Sequence, residues 1–199
     1  MNRQHADVLV EIAHQAMIDK GLEPDFSAEV QQQLDTIHGP AKEHDNAAIR
    51  DLRELAWCSI DNDDSRDLDQ LTYADKVKNG DTRIFIAVAD VDALVKKGTP
   101  IDEHARTNTT SVYTAARIFP MLPEKLSTDL TSLNEAEERI AVVIEMVVRD
   151  DGNVGQGDVY RARVLNKAKL AYDRVAAWLD GEQDEPDGVR NVKGLAETL

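Results

Sequence analysis

The chain has a single cysteine, Cys58, in 199 residues, so no intrachain disulfide can form and a reducing, cytoplasmic setting is expected. It has no apolar run approaching the roughly 18 residues of a membrane span and no apolar N-terminal stretch of the signal-peptide kind, so a protein outside the membrane is expected. Cations are in the minority. Lys and Arg number 23 against 38 Asp and Glu, a net charge of -15, which argues against broad, nonspecific attraction to nucleic acid. Any polyanion must be met by a local basic groove or through bound metal. No serine or cysteine has a recognisable base partner, and no glycine-rich phosphate loop occurs. The five histidines, His5, His14, His38, His44 and His104, show no metal-ligand spacing. No internal repeat is present. With 42% apolar residues, the chain can bury the core of one substantial domain.

What the chain does have is acid, concentrated in one place. The stretch WCSIDNDDSRDLDQLTY, residues 57 to 73, starts as an apolar strand and carries five aspartates, at 61, 63, 64, 67 and 69. Two carboxylates 4 Å apart repel by roughly 1 kcal/mol in water and about four times that near a protein surface. A fold that gathers several therefore either leaves them in solvent or recruits a divalent cation. Spacing supports the cation: with Leu68 extended, Asp67 and Asp69 project from one face, and Asp61 lies six residues earlier across a loop that can curl back. A helix-loop-helix calcium site fits poorly, because counting from Asp61 its sixth position is Arg66 rather than glycine and its twelfth is Thr72 rather than glutamate.

Around this stretch the periodicity gives an order of elements. Val8, Leu9, Ile12, Ala13, Ala16 and Met17 predict an amphipathic helix over residues 4 to 20. Ser27 is a candidate N-cap for a second helix, stopped by Gly39-Pro40, and a third is expected over Asn46 to Leu55. These N-terminal helices, residues 1 to 50, are short and not basic, so a packing role suits them better than nucleic-acid binding. Asp69 to Ala74 and Arg83 to Val88 predict a hairpin across an Asn79-Gly80-Asp81 turn. Ile101 to Thr107 suits a helix, while the paired prolines of IFPMLPEKL, residues 118 to 126, demand a shaped loop. Ile140 to Val148, a turn, and a run through Val159 to Val164 predict further strands, with Cys58 at a buried strand position. Residues 180 to 190 are acidic and turn-rich, and KGLAETL at the end suggests the start of another helix. The fold class expected is mixed α/β, a largely antiparallel sheet with flanking helices, in residues 51 to 199.

The stretches SIDNDDSRDLDQL, IAVADVDALVKKGTPIDEHA, TSVYTAARIFPMLPEKLSTDLTSLNEAEERIAVVIEM and VYRARVLNKAKLAYDRV resemble the catalytic RNB domain of ribonuclease II and ribonuclease R exoribonucleases. They fall in that family's order and cover about residues 57 to 175. The resemblance implies a 3'-to-5' exoribonuclease that hydrolyses single-stranded RNA to 5' mononucleotides. The family pattern is an aspartate, five residues, then Asp-x-Asp-Asp; Asp61, Asp67 and Asp69 match its first three acids, with Gln70 in place of the fourth. It implies that these acids hold magnesium at the scissile phosphate. Gln70 offers a neutral oxygen and one charge fewer, which manganese can compensate. Tyr113, in TSVY, matches a tyrosine that stacks near the RNA 3' end, and Tyr172, in LAYD, one near the channel end.

Arg161, Arg163, Lys167, Lys169 and Arg174 cluster within fourteen positions, and alternation puts Arg161 and Arg163 on one strand face. They are candidates for a phosphate track, against the alternative of a solvated strand face. A noncatalytic RNA-binding or regulatory protein on the same fold is the competing expectation, motivated by Gln70 and the low basic content. The family's RNB domain is longer than the stretch matched here, so this chain is expected to be an N-terminal portion of one, with catalytic function completed elsewhere. No contact with DNA or a membrane is expected.

Overall fold

The computed structural model describes residues 3–42, 48–77 and 80–199. The chain divides into two compact units, one joining Met1–Gly39 with Asp92–Ser127 and the other joining Pro40–Val91 with Thr128–Leu199. The middle stretch of the sequence thus folds with the N-terminal helices.

The first unit contains helices α1 (Arg3–Asp19), α2 (Ala28–Asp35) and α3 (Pro100–Asn108), with strands β5 (Val112–Tyr113) and β6 (Ile118–Phe119) paired antiparallel. Ser27 caps α2 as expected, its hydroxyl accepting the Val30 N–H at 3.3 Å. Pro100 opens α3, where its missing N–H has no intrahelical role. Asn108 grips the backbone of Glu23 at both ends, accepting its N–H and donating to its carbonyl, each at 2.8 Å. On α1 the apolar stripe is open: Met17 is buried while Val8, Leu9 and Ile12 are exposed. The loop with two prolines is shaped as required. It begins in β6 and leads to a single π-helical turn over Lys125–Leu130.

The second unit is built on a seven-stranded sheet in the order β1-β8-β7-β4-β3-β2-β9. Its strands are β1 (Arg50–Asp51), β2 (Cys58–Asp61), β3 (Gln70–Lys76), β4 (Thr82–Ala89), β7 (Glu138–Val148), β8 (Val154–Leu165) and β9 (Ala168–Ala171). The interior pairs β8–β7–β4–β3–β2 are antiparallel, and only the outermost pairs, β1 with β8 and β2 with β9, are parallel. The expected largely antiparallel sheet is therefore present. Gly80, at φ +87°, lies in the β3–β4 connection, where a Cβ would stand 2.8 Å from the Asp150 carboxylate. Asn79, expected in the same turn, lies outside the described residues.

Alternation sorts the strands between two faces. One carries Trp57, Leu71, Phe85, Ala87, Ala141, Val143, Ala162 and Val164, which pack with Leu133 into a closed core. Trp57 is fully buried, its indole N–H donating to the Leu52 carbonyl at 2.8 Å. On the other face Cys58, Ala168 and Leu170 are covered by Val175 of α4 (Tyr172–Leu179), Val189 of α5 (Asp187–Arg190) and Leu195. Further along that second face the cover ends. Ile84, Ile86, Val88, Val142, Ile144, Met146 and Val159 are all half-buried or exposed.

Two expected helices are replaced. Asn46 and Ala47 of the third lie outside the described residues, and from Ala48 to Leu55 the chain is not helical. Arg50–Asp51 instead joins the sheet beside β8, and the Leu52 N–H donates to the Arg163 carbonyl at 3.0 Å. Edge pairing plus burial of Leu52 and Leu55 against the core outweighs a weak local helix preference. The last nine residues form successive turns rather than a helix: Gly194 sits at φ +82°, and Leu195 is drawn fully into the core. Among the described residues, no helix is long and apolar enough to cross a membrane.

Candidate functional site

Asp61 is the last residue of β2, paired in parallel register with Ala171 at the end of β9. The loop that follows is fixed at several points. The Asn62 N–H donates to Asp61 Oδ1 at 2.7 Å, and the Ser65 N–H closes a turn onto the Asn62 carbonyl at 3.1 Å. Lys169 Nζ donates to the Ser65 carbonyl at 2.6 Å and reaches the Asp63 carbonyl at 3.4 Å. This lysine, one of the clustered cations, serves as a loop clamp.

Leu68 is the loop's apolar anchor, only 3% exposed, between Asp67 and Asp69. Its N–H donates to Ser132 Oγ at 3.0 Å, and its carbonyl accepts the Leu133 N–H at 2.8 Å. The next carbonyl, of Asp69, accepts the Ala89 N–H at 2.9 Å, and β3 begins at Gln70. The backbone of Leu68, between the two aspartates, is thereby held from both sides.

The electrostatics tie the three acids together. The Asp69 carboxyl is raised above its ordinary value by burial first, then by the charge of Asp67, then by that of Asp61. Its surface is nonetheless open to solvent, so this repulsion is screened rather than deep. Such mutual repulsion is the condition a hard cation with oxygen ligands relieves. Asp61, Asp67 and Asp69 fit a divalent metal in donor chemistry. Yet among the described residues no three His, Cys, Asp or Glu side chains converge closely enough to hold an ion as they stand. Asp61 explains part of this, since one carboxylate oxygen turns back to cap its own loop. Asp63 and Asp64 point into solvent.

Gln70 is exposed, and the register aligns it across the sheet with Val88, Val142 and Arg161. Arg161 and Arg163 share a face of β8 as expected, and both are engaged. Arg161 Nε lies 2.6 Å from Asp90 Oδ2, a buried carboxylate oxygen with no aligned hydrogen bond, and Arg163 lies 3.5 Å from Asp51. A phosphate arriving there would have to compete with these carboxylates. Tyr172 directly follows the residue paired with Asp61 and is half exposed. It lines a cavity of about 360 Å³ with Asn62, Asp63, Asp64, Asp173 and Arg174. Tyr113 belongs to the first unit, in β5, and is 66% exposed, which excludes a core role for it.

Sequence reasoning did not find Ser132, Asn166 or Asp90. All three are buried polar residues, each with a partner 64 to 107 positions away in the chain (Leu68, Arg161 and Ser59), a separation that leaves no periodic or local signal.

Residues 49–199 match the family model for the RNB domain. Ribonuclease R of Escherichia coli (strain K12) is 39% identical over 155 residues, which cover 78% of this chain and 19% of that protein. Among solved structures, Mycoplasma genitalium RNase R in complex with ribose methylated single-stranded RNA superposes with a TM-score of 0.79 at 30% identity, covering 90% of this chain and 28% of that one. Yeast Ssd1, a pseudonuclease, shares the fold alone, with a TM-score of 0.62 at 14% identity over 75% of this chain and 19% of that one. The chain spans about a fifth of the length of the curated ribonuclease R relatives it matches.

Proposed function

The chain belongs to the RNB domain family, and from that premise we propose that it carries the acidic centre of a metal-dependent 3'-to-5' exoribonuclease acting on single-stranded RNA and releasing 5' mononucleotides. The observation that supports this reading most is the clamped loop, whose buried Leu68 is held by Ser132 and Leu133 between Asp67 and Asp69, with Asp61 at the end of β2 and the charges of Asp67 and Asp61 both felt at the Asp69 carboxyl. Their carboxylates, with the amide oxygen of Gln70, would hold magnesium or manganese. When bound, the metal supplies Lewis-acid polarisation of the scissile phosphate and a more acidic water. The chain's own part is positional. The Leu68 clamp fixes the backbone between Asp67 and Asp69, and Lys169 ties down the loop that separates them from Asp61.

Tyr172 and Tyr113 are exposed rings suited to stacking on bases, which tolerates any sequence and contributes about 1 to 3 kcal/mol per base. Arg161 and Arg163 would approach phosphates by exchanging their present carboxylate partners. With a net charge of -15, long-range attraction to RNA is weak, so recognition depends on such short-range contacts.

A second reading, a noncatalytic RNA-binding protein, is favoured by one observation: Gln70 stands where the family pattern has an acid. Incubating a hybrid, in which residues 57 to 175 replace the matching segment of Escherichia coli ribonuclease R, with 3'-labelled and 5'-labelled RNA in magnesium or manganese separates the two. Loss of the 3' label as mononucleotide, without a ladder, supports the exonuclease. Retention of intact RNA under both metals supports the binding module.

A further inference from the structure

Ser132 lies in the connection before β7, remote in sequence from every aspartate of the acidic loop, yet its hydroxyl is the acceptor for the Leu68 N–H at 3.0 Å. The next residue, Leu133, donates its own N–H to the Leu68 carbonyl at 2.8 Å. Both backbone groups of the residue between Asp67 and Asp69 are therefore held by one dipeptide. Ser132 is 1% exposed, and its hydroxyl has acceptors in Asn134 Oδ1 at 2.9 Å and the Arg66 carbonyl at 3.4 Å, which leaves an oxygen lone pair for the Leu68 N–H.

The same dipeptide is joined to the strand that bears Asp61. Asn166 Nδ2 donates to the Leu133 carbonyl at 2.9 Å and to Ser59 Oγ at 3.1 Å, and Ser59 lies two positions before Asp61 in β2. Asn166 and Ser59 are 1% and 2% exposed. A continuous buried line of hydrogen bonds thus runs from Ser59 through Asn166 and Leu133 to Leu68, with Ser132 closing its far end.

We infer that Ser132 is a positioning residue that, through Leu68, sets the placement of Asp67 and Asp69 relative to Asp61. A side-chain acceptor is needed here because the loop has no strand partner at Leu68, and a buried N–H without an acceptor is strongly disfavoured. The inference rests on the proposed metal role of the three aspartates, since placement of the carboxylates matters only if they act together. It assigns Ser132 no contact with substrate. A loop displaced by about 1 Å can lower activity on the order of a hundredfold.

The test compares the wild-type chain with Ser132→Ala, Ser132→Thr and, as a control for simple loss of stability, Val143→Ala in the core. Manganese affinity is measured by titration calorimetry, and amide hydrogen exchange at Leu68 by NMR. Ser132→Ala is expected to weaken manganese binding by about tenfold or more and to accelerate Leu68 exchange similarly, while Ser132→Thr, which keeps the hydroxyl, restores both to within about threefold. Val143→Ala is expected to lower the melting temperature without changing manganese affinity. Unchanged Leu68 exchange in Ser132→Ala, or equal manganese weakening in Val143→Ala, overturns the inference. Should wild type and Asp69→Asn take up manganese alike, the metal reading fails instead. Backbone shifts of Asp67 and Asp69 in Ser132→Ala then decide the inference: displaced shifts uphold it, and unmoved shifts overturn it.

Discussion

Replacing Asp69 with asparagine should stabilise the protein in metal-free buffer and deprive it of most of the stability that manganese confers. Burial, then Asp67, then Asp61 raise the Asp69 carboxyl above its ordinary value, so the folded state binds this proton more tightly than the unfolded chain does. Stability linked to a raised carboxyl is fully present below the unfolded value, about pH 4, and is lost as pH climbs through the folded one. At pH 7 the ionised Asp69 is therefore a net cost. Asp69 is solvent-exposed, so screening reduces that cost to about 0.5 kcal/mol. For a chain of this size the gain in Asp69→Asn corresponds to about 1 to 2 °C in melting temperature. Metal reverses the order. A ligand at a hundred times its dissociation constant adds about 2.7 kcal/mol to wild type, roughly 5 to 11 °C, and the variant should receive only a small part of it. Scanning calorimetry in EDTA and in manganese, at pH 7 and near pH 4, reads all of this. The advantage of the variant in EDTA should shrink toward pH 4. A variant that is less stable than wild type in EDTA, and that gains as much from manganese, would show that Asp69 neither carries a charge cost nor holds the metal.

Other outcomes follow from single positions. Gln70→Asp adds a charged oxygen beside Asp69 and should tighten magnesium binding about tenfold; an unchanged titration removes Gln70 from the metal site. Tyr113→Ala should change the length of the final undegraded oligonucleotide in an active preparation, because a stacking surface worth about 1 to 3 kcal/mol is lost. An unaltered end product would count against stacking there. Cys58 is fully buried and its thiol is pushed up to about 11 by burial, so it should resist a thiol-reactive dye at pH 8 until the protein unfolds. Rapid labelling of native protein would contradict the packing assigned to β2.

The strands were legible because their periodicity is their cause: RIFIAVA and IAVVIEMVV form β4 and β7, and Ser27 caps α2, each from local signals alone. Cys58 was legible as a buried strand residue for the same reason. What local reading mistook was decided by distant partners. Arg50–Asp51 looks helical until β8 offers it a parallel edge, and Leu195 is turned inward by a core that Cys58 and Leu170 build. At the site, the spacing of Asp61, Asp67 and Asp69 was visible in the sequence, whereas their support was not. Ser132 meets Leu68 across 64 positions and Asn166 meets Ser59 across 107, so only the folded chain brings them together. Arg161 and Arg163 share a face as alternation requires, but the carboxylates that occupy them, Asp90 and Asp51, come from other strands' ends.

Whether Asp61, Asp67 and Asp69 form a catalytic metal centre is decided by transplantation. Residues 57 to 175 of this chain would replace the matching segment of Escherichia coli ribonuclease R, and the hybrid would be assayed on 3'-labelled single-stranded RNA. The expected result is metal-dependent release of mononucleotides that Asp69→Asn in the hybrid abolishes while RNA affinity stays within a few fold. A folded hybrid that retains RNA without cutting it under magnesium or manganese, or that cuts equally well with Asp69→Asn, would contradict a catalytic metal centre there.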